Sequence, residues 1–294
     1  MYQKRSICYC GSGKSRESCC KTGPEITLRM KQFANQKERE QMLSDLHISS
    51  QFQMRYKGHF EFYGKHFIAY KRKNPTEKCN GFLVIISSYF TDYLDEMDKC
   101  PSSWKTLTSA FWEELICTYY PHSIKITPNE KETDTFFTQL KMFVRWLDKQ
   151  EHTCWYNIVT AYITEYKSVV YNCERLLNHL VTQQYPKFHQ IDWDPMNDFE
   201  KIEMKFNQYK ETVEGVFEVT GTLENTVAIA NVETHKTYYV KGVPPSIVVS
   251  GMLLQGGIGR NWGQKYWDWC HTFSVFPNQA KNYLYPKVEP TGVK

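Results

Sequence analysis

Cys8, Cys10, Cys19 and Cys20 stand within the first 20 residues in the spacing C-x-C-x8-C-C. Four thiolates so close in sequence suit one zinc ion, which takes soft ligands at roughly 2.3 Å in a tetrahedron. Two ligands one residue apart can face a single ion only if the backbone turns sharply, and Gly11 and Gly13 supply permissive positions for that turn. Four thiolates on a divalent cation leave a charge of about −2. Lys4, Arg5, Lys14, Arg16 and Lys21 are near enough in sequence to offset it. A shell closed by four sulfurs leaves no position for a reactive water, so the expected role of the one zinc is structural.

The run ICYCGSGKSRESCCKTG resembles the SEC-C motif, the small zinc module at the carboxyl end of the SecA translocation ATPase and in many small bacterial proteins. Cys8, Cys10, Cys19 and Cys20 fall on that family's ligand positions, with Gly11-Ser12-Gly13-Lys14 between the pairs. Tyr9 stands where the family usually has proline, and Cys20 takes a place held by histidine or cysteine. The resemblance covers only residues 7–23. It implies zinc and a bacterial cytoplasmic setting. In SecA the module contacts a chaperone and the ribosome, but because the module is appended to many unrelated bodies it carries over no particular partner, and a protein partner of chaperone or ribosome type is an expectation only. Lys14 and Arg16, in the basic loop, are the candidate contacts to an acidic partner surface. The same stretch ends like a phosphate-binding loop, but that motif needs glycine where Cys8 stands and a strand just before it, which residues 1–7 are not expected to form. Disulfide pairing is disfavoured because no apolar signal segment follows Met1.

At 294 residues the chain has length for two folded units beside a zinc knuckle. Its 41% hydrophobic and 15% aromatic content calls for a ring-rich core and excludes a disordered chain. A net charge of +4 is too small to argue for nucleic acid on its own. No apolar stretch approaches the roughly 18 residues that span a bilayer, so a soluble protein without a membrane span is expected.

Apolar residues recur at three and four positions along four segments: Phe82 to Met97, Trp104 to Leu115, Phe136 to Leu147 and Trp155 to Leu180. A further surface helix is expected around Met42, Leu43 and Leu46. Prolines and aspartates between Tyr185 and Pro195 read as a linker. Beyond Val213 the pattern changes to short β-branched and aromatic runs, with strands expected at Val216–Val219, Thr226–Val232, Thr237–Val240, Ile247–Leu254 and Trp267–Phe276. The expected fold is α+β: a zinc knuckle over residues 1–24, a mainly helical domain over 25–190, and a small antiparallel, barrel-like β-domain over 196–294.

Other chemistry-bearing residues are scattered. Asp192, Asp194 and Asp198 read as turn-forming linker acids rather than a cation site, and His47, His59 and His66 have no neighbouring motif. Arg55 to Arg72 interleaves rings with bases, including Lys71 and Arg72. That is the composition of a nucleic-acid contact and equally of a core-facing element with a basic outer side. Trp262 follows a glycine-rich run, Gly256 to Arg260, read as a turn that presents tryptophans to a peptide or unpaired strand; alternating rings could equally close the barrel core, as expected for at least Trp267 and Trp269, which share one face. The functional expectation is a non-enzymatic, zinc-containing protein that binds a protein partner. A nucleic-acid or ribosome-associated protein is the alternative, and an enzyme with dispersed residues the third reading.

Overall fold

The computed structural model describes residues 5–7, 26–28, 32–127 and 131–285. Cys8, Cys10, Cys19, Cys20, Lys14 and Arg16 lie outside the described residues. The chain divides into two compact units, residues 1–50 and 51–294.

In the first unit, β1 (Arg5–Ile7) pairs antiparallel with β2 (Ile26–Leu28). A short strand thus does form before the cysteines, contrary to expectation, because the chain returns 19 residues later to pair with it: Ile7 faces Ile26. α1 (Gln36–Ser50) opens on a reciprocal cap. Asn35 Oδ1 accepts the Glu38 N–H at 2.9 Å, meeting one orphan donor of the first turn, and Glu38 Oε2 reaches back to accept the Ala34 N–H at 2.8 Å just before the helix.

The second unit is mixed α+β. Its helices are α2 (Phe62–Lys73), α3 (Glu77–Ser88), α4 (Ser109–Glu114), the single turn α5 (Tyr120–His122), α6 (Glu132–Glu151), α7 (Trp155–Gln184), α8 (Pro195–Gln208) and the terminal turn α9 (Lys281–Leu284). α3 runs on into a π-helical turn at Tyr89–Leu94, and α4 into another at Leu115–Tyr119. The continuous α-periodicity expected across both segments breaks there. Inside them, Phe62, Phe67, Phe90, Trp104 and Phe143 meet largely edge to face, with Phe62 and Trp104 centroids 5.4 Å apart and Phe90 and Trp104 5.3 Å apart. Such pairs add about 0.5–1.5 kcal/mol each beyond area burial.

α6 and α7 are the long amphipathic pair that the apolar stripes require, and each caps the other. Asp148 near the end of α6 accepts the N–H groups of Trp155 at 2.9 Å and Tyr156 at 2.8 Å, the first turn of α7. Glu174 in α7 accepts those of Glu132 at 2.9 Å and Thr133 at 3.0 Å, the first turn of α6. His152, in the left-handed region at φ 55°, reverses the chain between them.

α8 follows the expected linker and opens the region expected to be β-rich with a helix. Asp194 is its N-cap, its Oδ1 accepting the Met196 and Asn197 N–H groups at 3.1 and 3.3 Å, and Pro195 sits at the first helical position, where a missing N–H costs nothing. Asp194 and Asp198 thus belong to a helix start, while Asp192 lies in the turn before it.

The strands are β3 (Glu211–Leu223), β4 (Thr226–Asn231), β5 (Thr237–Lys241), β6 (Leu253–Arg260) and β7 (Trp267–Phe276). The sheet closes on itself in the order β3-β4-β5-β7-β6, with β6 paired back to β3. β3 serves both neighbours because it is 13 residues long: it pairs β6 from Glu211 to Glu218 and β4 from Phe217 onward, with a register shift between Val219 and Gly221. The sheet is largely antiparallel, as expected, with the β5–β7 ladder parallel. Gly256 to Arg260, expected as a turn, is the second half of β6. Its glycines are needed inside a strand because a Cβ at Gly256 would overlap the His271 carbonyl, one at Gly257 the His271 ring and one at Gly259 the Tyr209 ring.

α7 packs on β7 as well as on α6. Gln184 Oε1 accepts the Thr272 N–H at 3.2 Å, and His122 Nδ1 lies 2.7 Å from the buried Ser274 hydroxyl. Helices and sheet therefore share polar ties as well as apolar contact.

Candidate functional site

The outer surface of the closed sheet carries rings and lysines together. Alternation along β5 buries Tyr238 and Val240 and turns Thr237, Tyr239 and Lys241 outward, with Tyr239 47% exposed. On β4, Ala228 lies opposite Tyr239 and Ala230 opposite Thr237, so small side chains leave the ring uncovered. The loop from β6 to β7 adjoins this face. Asn261 to Gln264 forms a tight turn, with the Gln264 N–H on the Asn261 carbonyl at 3.2 Å and the Asn261 N–H on Gln264 Oε1 at 2.7 Å. Gly263 occupies its third position at φ +85°, a conformation glycine adopts without penalty. The turn projects Trp262, which is 81% exposed. Two positions after Gln264, Tyr266 is flanked by Lys241 Nζ at 4.9 Å and Lys265 Nζ at 5.1 Å from its ring centre. Three rings and two unburied ammonium groups are thus held on a strand and a short turn.

Behind this face a cleft of about 450 Å³ opens between α7, α8 and the β5–β7 ladder. Gln183, Lys205, Phe206, Tyr209, Lys241 and Asp268 are among the residues that line it. The Tyr209 hydroxyl donates to Asp268 Oδ2 at 3.1 Å. Cys270 also lines the cleft, and burial pushes its thiol up to about 11, so it is protonated at neutral pH and is a poor nucleophile.

Elsewhere on β7, the His271 ring packs edge-on to Phe206 at 4.9 Å, with Nε2 2.9 Å from Glu214 Oε1. Burial lowers its pKa, opposed only in part by Glu214. A histidine lowered in the fold binds its proton first in the unfolded chain, so stability is full above the ordinary value of about 6.5 and falls as pH drops below it. Urea unfolding of the protein and of His271→Asn between pH 7.5 and 5.5 checks this. The variant is expected to lose stability with acid less steeply; equal slopes would remove His271 from the pH dependence.

The residues singled out in sequence separate cleanly. Lys71 is 3% exposed and its Nζ donates to the Thr76 carbonyl at 3.2 Å, so it is not presented to a partner. Tyr63, Phe67 and Tyr70 on the same helix are buried, and the ring-and-base pattern of residues 55–72 is mainly a core face. Arg72 is exposed beside it. His66 is ordered by its surroundings, with Nε2 2.5 Å from Glu151 Oε1 and Nδ1 accepting the Trp104 indole N–H at 3.2 Å. Cys79, Cys117 and Cys173 are buried, and burial raises all three thiols.

One arrangement had no sequence signal. Glu113 accepts the hydroxyls of Tyr166 at 2.6 Å and Tyr283 at 2.5 Å, while its neighbour Glu114 accepts those of Tyr93 at 2.8 Å and Tyr89 at 3.4 Å. Burial first, and the carboxylates next, raise these phenols, so they act as donors that satisfy both acids. The cluster fastens α9 to α4 and α7. Among the described residues no group of three or more His, Cys, Asp or Glu is placed to hold a metal ion, and no helix is long and apolar enough to cross a membrane. No protein-family model, curated protein or solved structure matches the chain.

Proposed function

We propose that this is a non-enzymatic macromolecule-binding protein whose closed β-sheet takes an unpaired nucleic-acid strand. The observation that carries the reading is the exposure of Tyr239 on β5 and of Trp262 in the β6–β7 connection, the same two segments that bring Lys241 and Lys265 against the Tyr266 ring. Rings exposed on a rigid surface cost solvation unless something covers them, and bases cover them by stacking while ammonium groups meet phosphates. The strand order, with the third and fifth strands parallel, supports the reading as an analogy of architecture: five-stranded Greek-key barrels host oligonucleotide and oligosaccharide binding.

The test is titration of labelled oligothymidylate and oligouridylate at rising salt. Affinity that falls steeply with salt supports phosphate contacts, whereas no binding at low salt removes the proposal.

A second reading, a protein partner of chaperone or ribosome type in a bacterial cytoplasm, rests on the SEC-C resemblance of residues 7–23. One zinc per chain by elemental analysis is expected. Cys10→Ser and Cys19→Ser should each release it while residues 51–294 keep their unfolding midpoint. Full zinc retained in both variants would end the four-cysteine assignment.

A further inference from the structure

We infer that the cleft behind the aromatic face receives a single unstacked guanine of the bound strand, an inference that rests on the strand-binding reading and names what that site selects. The cleft's volume of about 450 Å³ lies within the range of small-molecule sites. It is continuous with the proposed strand path through Lys241, which both lines it and reaches the Tyr266 ring. A strand stacked on Tyr266 therefore passes the mouth of the cleft. Lys205, exposed on α8, stands on the opposite wall, so cations on two walls can hold the phosphates flanking a base turned inward.

The chemistry inside chooses among the bases. Asp268 is fixed by the Tyr209 hydroxyl on Oδ2, and a carboxylate has lone pairs enough to accept further bonds from both oxygens. It offers acceptors only. Guanine presents two parallel donors on its Watson–Crick edge, N1–H and N2–H, matched to a carboxylate fork. Thymine and uracil present one donor between two carbonyls, which the carboxylate repels. Adenine sets an acceptor beside its amino group, and cytosine does the same. The Gln183 amide, also on the lining, supplies an N–H for guanine O6, and Phe206 with Tyr209 gives apolar surface for the base plane.

The experiment uses the full chain and labelled twelve-residue thymidylates carrying one central guanine, adenine or cytosine, read by fluorescence anisotropy. The guanine strand is expected to bind about tenfold more tightly than the others. Asp268→Asn, which keeps the shape and replaces one acceptor by a donor, should abolish that preference, so that the guanine and all-thymidine strands bind within about twofold of each other. Gln183→Ala, at an exposed position, should reduce the preference without bearing on the fold. Equal affinity for all four strands, or a preference that survives Asp268→Asn in a variant with wild-type circular dichroism, would overturn the inference and leave strand binding standing. Should no oligonucleotide bind, the proposed function fails, and titration with GMP against AMP decides the cleft alone: selective GMP binding lost in Asp268→Asn supports it, and no selectivity ends it.

Discussion

Replacing Glu174 by alanine is expected to destabilise residues 51–294 by about 3–5 kcal/mol, the largest loss among substitutions away from the apolar core. The carboxylate is 0% exposed and accepts the N–H groups of Glu132 and Thr133, so its removal leaves two helix donors without a partner in the interior. Each buried, unmet donor costs about 1–3 kcal/mol, and bonds to a charged acceptor are at the strong end of the range. The Tm should fall by about 10 °C, since a unit of this size shifts about 2–4 °C per kcal/mol. Urea unfolding of Glu174→Ala and Glu174→Gln checks the cause. The glutamine variant keeps one acceptor and should recover part of the loss. An alanine variant within 1 kcal/mol of the parent would show that the start of α6 is held by its apolar face alone.

The double substitution Trp262→Ala with Tyr266→Ala is expected to weaken binding to single-stranded oligonucleotides by about a hundredfold or more, because each stacked base is worth about 1–3 kcal/mol. Trp262→Ala alone should cost about tenfold without moving the unfolding midpoint, since the ring is 81% exposed and packs on little. Anisotropy titration at one fixed salt concentration measures both. Lys241→Glu should flatten the salt dependence as well as weaken binding, which separates phosphate contact from stacking. A double variant that binds like the parent would place the strand elsewhere on the molecule. Lys71→Glu is no control for charge, because that lysine is buried and its reversal disturbs the fold.

Much of the architecture was legible as periodicity. The stripes of α6 and α7 are long enough that no other structure buries them, and the alternation of β4, β5 and β7 matches the observed strands to within a residue at most ends. α8 was legible too, through Asp194 followed by Pro195, but its aspartates and prolines read equally well as a linker. β6 was not. Three of its eight residues between Leu253 and Arg260 are glycine, and only the close approach of His271 and Tyr209 explains why glycine belongs there. The π-helical turns left no trace because their apolar residues keep nearly the same spacing.

The candidate surface divides in the same way. Residue types alone marked Trp262, but they marked Lys71 equally, and burial alone tells them apart: one projects from a turn while the other reaches back to a carbonyl. The sequence by itself determined the cysteine spacing with its implied zinc chemistry, the long helices, and the change to strands beyond residue 210, since these depend on local pattern and side-chain chemistry. Tertiary structure decided the closure of the sheet, the reciprocal caps of α6 and α7, and which rings and lysines face solvent together. Sheet closure and the Glu174 cap join residues tens of positions apart, and no local pattern encodes which of two equally apolar faces will find a partner.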